Sequence, residues 1–104
     1  EPKTLVVAGA VVVPSAILFE EGKDLDYYIS RAGGFTDDAA SDKLFVIGAD
    51  GRIIRKDQIQ RLERGDTIVT PPQAIVARPG GLEIFLSLAQ SVLNYVTLGQ
   101  VLRN

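Results

Sequence analysis

Up to residue 78 the apolar positions fall into short runs separated by glycine, proline and acidic residues. Thr4–Val7 is a β-rich run, Gly9 interrupts it, and Val11-Val12-Val13 resumes it. Pro14-Ser15 then punctuates, and Ala16-Ile17-Leu18-Phe19 leads to Glu20-Glu21-Gly22. This spacing predicts a hairpin with a glycine bend. Pro14 has no N–H and belongs at a turn or an edge. The period then changes. Leu25, Tyr28, Ile29 and Ala32 share one face at helical spacing, Asp24 is a candidate N-cap, and Asp26 sits in the first turn. Gly33-Gly34 supplies a left-handed stop. A helix of about nine residues cannot stand alone in water, so it is expected to lie across a sheet.

After the acidic loop containing Asp37, Asp38 and Asp42, Leu44–Ile47 and Arg52–Arg55 read as paired strands. Asp50-Gly51 between them is a two-residue hairpin signal. Lys56–Glu63 is either one polar helical turn or a loop, Arg64-Gly65-Asp66 is a turn, and Thr67-Ile68-Val69 is the last strand, ended by Pro71-Pro72. Hairpin, helix, hairpin and final strand together predict an α+β domain of β-grasp topology, a mixed sheet crossed by one short helix.

Pro79-Gly80-Gly81 marks a change of composition, which divides the chain into a β-rich body over 1–78 and a helical segment over 79–104. From Leu82 to Leu102 the single charge is Glu83. On a helical projection Ser87, Gln90, Ser91, Asn94 and Thr97 fall with Glu83 in a stripe about 120° wide. The other arc, about 240°, holds Leu82, Ile84, Phe85, Leu86, Leu88, Ala89, Val92, Leu93, Tyr95 and Val96. A surface helix has a narrower apolar stripe and a charged outer face. Three environments fit. The first is burial in the domain or a swapped oligomer. The second is a flat position on a membrane, although that mode favours Lys and Arg on the polar face and none occurs before Arg103. The third is a ring of helices whose apolar sides face lipid and one another while the uncharged stripe lines a wet lumen. The segment would reach roughly 30 Å, about one hydrocarbon thickness. Ser, Gln, Asn and Thr suit passage of a hydroxyl-rich polymer. Packing in an oligomer and lining a pore both stay open on the residues alone.

Composition narrows the chemistry. The chain of 104 residues has no Cys and no His, which excludes thiolate and imidazole metal sites, disulfides and a Ser-His-Asp triad. With 11 basic and 13 acidic residues the net charge is −2, so no basic field exists to hold a nucleic-acid backbone. With no Met and Glu1-Pro2 at its start, the sequence is expected to be a processed chain or a piece of a longer one.

Val6-Val7-Ala8-Gly9-Ala10-Val11, Pro14, Asp24-Leu25-Asp26-Tyr27-Tyr28-Ile29 and Arg31-Ala32-Gly33-Gly34-Phe35 resemble the soluble-ligand-binding β-grasp (SLBB) domain. Val46-Ile47, Asp50-Gly51 and Gly65-Asp66-Thr67-Ile68-Val69-Thr70-Pro71-Pro72 are similar to its second half. Where that family frequently has Gly after the hairpin proline, this chain has Ser15. The resemblance implies a bacterial outer-membrane polysaccharide export protein in which a β-grasp body is followed by a C-terminal amphipathic helix. It implies a non-enzymatic module in the periplasm or outer membrane of a Gram-negative-type bacterium. Its implied partners are further copies of itself, a capsular polysaccharide or exopolysaccharide, an inner-membrane export partner and the outer membrane, with no nucleic acid. The body would serve ring assembly or saccharide contact, and the helix oligomerisation or an outer-membrane pore. The alternative is a soluble saccharide- or ligand-binding β-grasp module whose helix only packs or oligomerises.

Candidate residues follow. Tyr27, beside a core Tyr28, could stack on a sugar ring. Ser87, Gln90, Ser91, Asn94 and Thr97 are the candidate lumen stripe, and Leu82, Phe85, Leu86, Ala89, Val92, Leu93 and Val96 the candidate lipid or oligomer face. No residue is assigned to catalysis, a cofactor or a metal. Gly33-Gly34 sits at a helix C-terminus, where the dipole has the wrong sign for phosphate. The aspartates of the 37–42 loop lack the ligand spacing of a calcium loop. No nucleophile–base pair is present.

Overall fold

Residues 3–87 are described by a computed structural model, in which five strands form one mixed sheet of order β2-β1-β5-β3-β4. Strands β1 (Thr4–Gly9) and β2 (Ser15–Leu18) make an antiparallel hairpin, with Leu5 opposite Ile17 and Val6 opposite Ala16. Strands β3 (Phe45–Ile47) and β4 (Ile53–Arg55) make a second. Strand β5 (Thr67–Thr70) lies between them, parallel to β1 and antiparallel to β3. The α+β reading holds, and the strands lie close to where the apolar runs placed them.

Helix α1 (Leu25–Arg31) spans seven residues, two fewer than the spacing predicted. Its start is fixed by Asp24, whose carboxylate accepts the Tyr27 N–H at 3.0 Å. Its end is a Schellman turn: Gly34 N–H donates to the Ile29 carbonyl, Gly33 N–H donates to that of Ser30, and both glycines have positive φ. The helix buries Tyr28, Ile29 and Ala32 against Leu5, Val7, Ile17, Val46 and Ile68, which together form the core on the first face of the sheet. Tyr28 anchors this core twice over. Its hydroxyl donates to the Glu20 carbonyl and accepts the Glu20 N–H, each at 2.9 Å.

Two local expectations are corrected. Val11–Val13 does not resume a strand. Gly9 turns the chain at φ +89°, where a Cβ would collide with the Thr70 carbonyl, and the N–H groups of Val12 and Val13 bond instead to the Gly34 and Ala32 carbonyls. The β-propensity of three valines yields to that turn, and Val12 and Val13 are exposed. The β3–β4 connection is a three-residue loop. Gly48 N–H donates to the Arg52 carbonyl and Gly51 N–H to that of Gly48, with Gly51 at φ +88°. This is a turn followed by one left-handed residue, the alternative to a two-residue turn that Asp-Gly also permits. Lys56–Glu63, expected as one helical turn or a loop, is a single 3₁₀ turn, Lys56–Gln58, followed by a loop. A one-turn helix, α2 (Gln73–Val76), follows β5 and was not foreshadowed by the hydropathy pattern.

Gly80 has a positive φ, and Gly81 is buried so close to the Ile75 carbonyl that a Cβ would collide with it. This corner returns the chain to the sheet, and residues 81–87 are helical. Leu86, with Leu82 and Phe85, packs on Phe45, Ile47 and Val69 of the second face.

Candidate functional site

Tyr27 lies beside the turn that enters α1 and is half-buried. Its hydroxyl donates to the Glu20 carboxylate. That bond, to a group that already carries the negative charge, pushes the phenol above its ordinary value. Lys23 Nζ lies 5.0 Å from the ring centroid and the Arg31 guanidinium 6.0 Å, while the Tyr28 ring meets Tyr27 edge-on at 5.0 Å. Cations already attend the ring that sequence reasoning offered to a sugar, so a stacking ligand must displace one or share the ring with it. On the same side of the molecule, the 21–26 turn and residues 59–62 enclose a groove of about 540 Å³. It has an apolar floor of Leu25, Ile59 and Leu62, and Arg61 at its rim is paired to Glu21 at 3.4 Å.

Two carboxylates meet near the β3–β4 loop. Asp50 accepts the Arg52 N–H and pairs with its guanidinium at 3.2 Å, which holds Asp50 below its ordinary value. Asp66 is buried and accepts the Glu63 N–H at 2.8 Å. Burial outweighs that bond and raises its carboxyl, and the negative charges of Glu63 and Asp50 add to the rise. No cluster of three metal-ligating side chains occurs among the described residues.

The second face of the sheet is covered only in part among the described residues. Over β3 and β5 it is closed by Leu82, Phe85 and Leu86, with the Phe85 ring meeting Phe45 edge-on at 6.2 Å. Over β1 and β2 nothing among the described residues covers it. Val6 and Ala16 are exposed there, and Leu18 is 68% exposed. On the helical segment, Ile84 faces away from the sheet and is 60% exposed, and Glu83 and Ser87 are exposed as well. Thus Leu82, Phe85 and Leu86 of the candidate lipid or oligomer face lie on this chain's own sheet, and Ser87 of the candidate lumen stripe lies in the open. Gln90, Ser91, Asn94 and Thr97 of that stripe, and Ala89, Val92, Leu93 and Val96 of the apolar face, lie outside the described residues. No helix among the described residues is long and apolar enough to cross a membrane.

Sequence reasoning did not find the covering of Phe45 and Val69, yet a signal for it existed. Leu44–Ile47 is apolar without alternation, and every residue of β3 and β5 is buried. Strands covered on both faces read as continuous apolar runs, whereas one-sided strands alternate.

No protein-family profile matches the chain. Two curated relatives, both polysialic acid transport protein KpsD of Escherichia coli, are each 28% identical to it over 69 residues. This chain resembles a polysaccharide transport protein. The match covers 66% of this chain and 12% of either relative, so the chain spans about an eighth of their length.

Proposed function

We propose that this chain is a non-enzymatic module of a bacterial capsular polysaccharide or exopolysaccharide export protein. Its body is a β-grasp domain of the SLBB type, built for assembly of copies in the periplasm. Its C-terminal segment continues from residue 81 as an amphipathic helix that joins neighbouring subunits at the outer membrane. The observation that carries the reading is the similarity to polysialic acid transport protein. Two features support it further: the central parallel pair β1–β5 crossed by α1, as in a β-grasp, and the exposed Ile84 and Ser87, neighbours on the outer side of the helical segment. The second of these leaves an apolar surface for a neighbour or lipid beside the uncharged stripe of Ser87, Gln90, Ser91, Asn94 and Thr97. The polymer moves through the assembly and is not chemically altered by this module.

The test is conductance and polymer release by the full-length protein in liposomes, with and without residues 82–104. The reading expects loss of both on deletion, and unchanged conductance overturns the pore role.

A second reading is favoured by the groove between the 21–26 turn and residues 59–62, which has the volume of a small-ligand site. In it the body binds a saccharide, with Tyr27 at the margin, and the helix only packs. Saturable glycan binding that is lost in Tyr27→Ala, by a chain without membrane activity, is its signature.

A further inference from the structure

We infer that copies of this chain join head to tail by continuing the sheet, with the β2 edge of one copy pairing antiparallel with the β4 edge of the next. The inference rests on the proposed assembly of copies and names the surface that would make it.

The backbone pattern makes the two edges complementary. Phe19 N–H donates to the Lys3 carbonyl, so the hydrogen-bonded pairs of the first hairpin fall at Phe19, Ile17 and Ser15. The main-chain groups of Ala16 and Leu18 therefore point away from β1, off the edge of the sheet. In the second hairpin the Gly48–Arg52 bond sets the same alternation, so Ile53 and Arg55 point their main-chain groups off the opposite edge. All four residues carry their side chains on the second face, because Ala16 is opposite Val6, Val6 is opposite Thr67, Thr67 is opposite Ile47, and Ile47 is opposite Ile53. Direction also matches. Strand β4 runs with β1, and β2 runs against it, so a neighbour in the same orientation brings β4 antiparallel to β2. Sliding the two edges to pair Leu18 with Ile53 puts Ala16 opposite Arg55. Leu18 then gains an apolar partner, Ile53, that already packs against the cluster of Phe45, Ile47, Val69 and Leu86.

Charge distinguishes this pairing from that of two β4 edges. Strand β2 has no charged residue from Ser15 to Leu18, whereas β4 carries Arg55, is preceded by Arg52 and runs on to Lys56. Charged residues are how edge strands resist pairing with their own kind. Two β4 edges would bring Arg52, Arg55 and Lys56 of both copies together, whereas in this register Arg55 and Lys56 fall opposite the uncharged Ala16 and Ser15. Such an interface is heterologous, so it propagates into a ring or a filament and does not stop at two copies.

The chain has no cysteine, which makes the register directly testable. Residues opposite one another in a hydrogen-bonded pair have Cα atoms about 5.5 Å apart, within disulfide range. Ala16 and Arg55 are both exposed. Full-length Ala16→Cys mixed with Arg55→Cys under mild oxidation is expected to give a linked dimer as the main product. The double variant is expected to give a ladder of linked oligomers, which Leu18→Lys abolishes. A 16–55 product no more abundant than that of Ala16→Cys with the loop variant Asp37→Cys overturns the inference. So does linkage of Ala16→Cys to Leu18→Cys in its place, because that pair reports two β2 edges joined as a closed dimer. Oligomers that persist without a 16–55 link overturn the sheet continuation while leaving assembly through the helix intact. A full-length protein that stays monomeric overturns both.

Discussion

On the first face of the sheet, α1 lays Tyr28, Ile29 and Ala32 over Leu5, Val7, Val46 and Ile68, and this face is closed within the chain. On the second, Leu82, Phe85 and Leu86 cover Phe45, Ile47 and Val69, while Val6 and Leu18 stay bare among the described residues. The first face is held by a capped helix whose central tyrosine is hydrogen-bonded to the entering turn. The second is held by a helical segment that begins at a glycine corner and presents Ile84 to the outside. The contrast separates residues that make this body fold from residues available for contact beyond it. The first group lies under α1, and the second lies over β1, β2 and the outer side of residues 82–87.

The comparison breaks most severely at Tyr28. Tyr28→Ala removes a fully buried ring and both Glu20 hydrogen bonds, so a loss of about 3–5 kcal/mol is expected, enough to unfold a small domain, as read by chemical denaturation. Leu86→Ala opens the covering of the second face at its most buried contact and is expected to cost about 2–3 kcal/mol. If the first face is the autonomous one, this variant still folds cooperatively and binds more hydrophobic dye. Gly81→Ala forces a Cβ against the Ile75 carbonyl and is expected to cost about 1–3 kcal/mol. Limited proteolysis after residue 81 should accelerate in this variant, with α1 still protected.

The smallest effect sharpens the comparison by pH. The raised carboxyl of Asp66 means that the folded state holds this proton more tightly than the unfolded chain does. Its contribution to stability is therefore complete below the ordinary carboxyl value of 3.8 and is lost as pH rises through the higher folded value. Asp66→Asn keeps an oxygen to accept the Glu63 N–H and removes the buried charge. It is expected to flatten that decline and to be more stable than the parent at neutral pH, as seen in melting curves across pH.

Much of the body is legible in the sequence because local signals and tertiary demands agree there. Asp24 and Gly33-Gly34 bracket α1 in the sequence as they do in the fold, and Leu44–Ile47 and Thr67–Val69 are strands. The signals mislead where one residue overrules its neighbours. Val11–Val13 has strong strand propensity, but Gly9 turns the chain so that their N–H groups find partners at the end of α1. Asp50-Gly51 allows both a two-residue and a three-residue connection, and pairing of Gly48 with Arg52 selects the longer. The site was less legible than the fold. Helical projection separates polar from apolar residues on the 82–102 segment, but it cannot say which part of a broad apolar arc meets the sheet. That choice is made by the corner at Gly80-Gly81 and by Phe45 and Val69. It turns Leu82, Phe85 and Leu86 inward and Ile84 outward. The edge complementarity of β2 and β4 depends on the register of both hairpins, which the linear pattern does not contain.

The claim on which the account turns is that a second copy completes what this chain leaves uncovered on the second face. The most direct measurement is the mass of the full chain in solution by light scattering across concentration, beside Leu18→Lys. Species larger than a dimer, shifting toward monomer in Leu18→Lys while α1 keeps its helical signal, are the expected result. A parent that stays a monomer at every concentration, indistinguishable from Leu18→Lys, contradicts it.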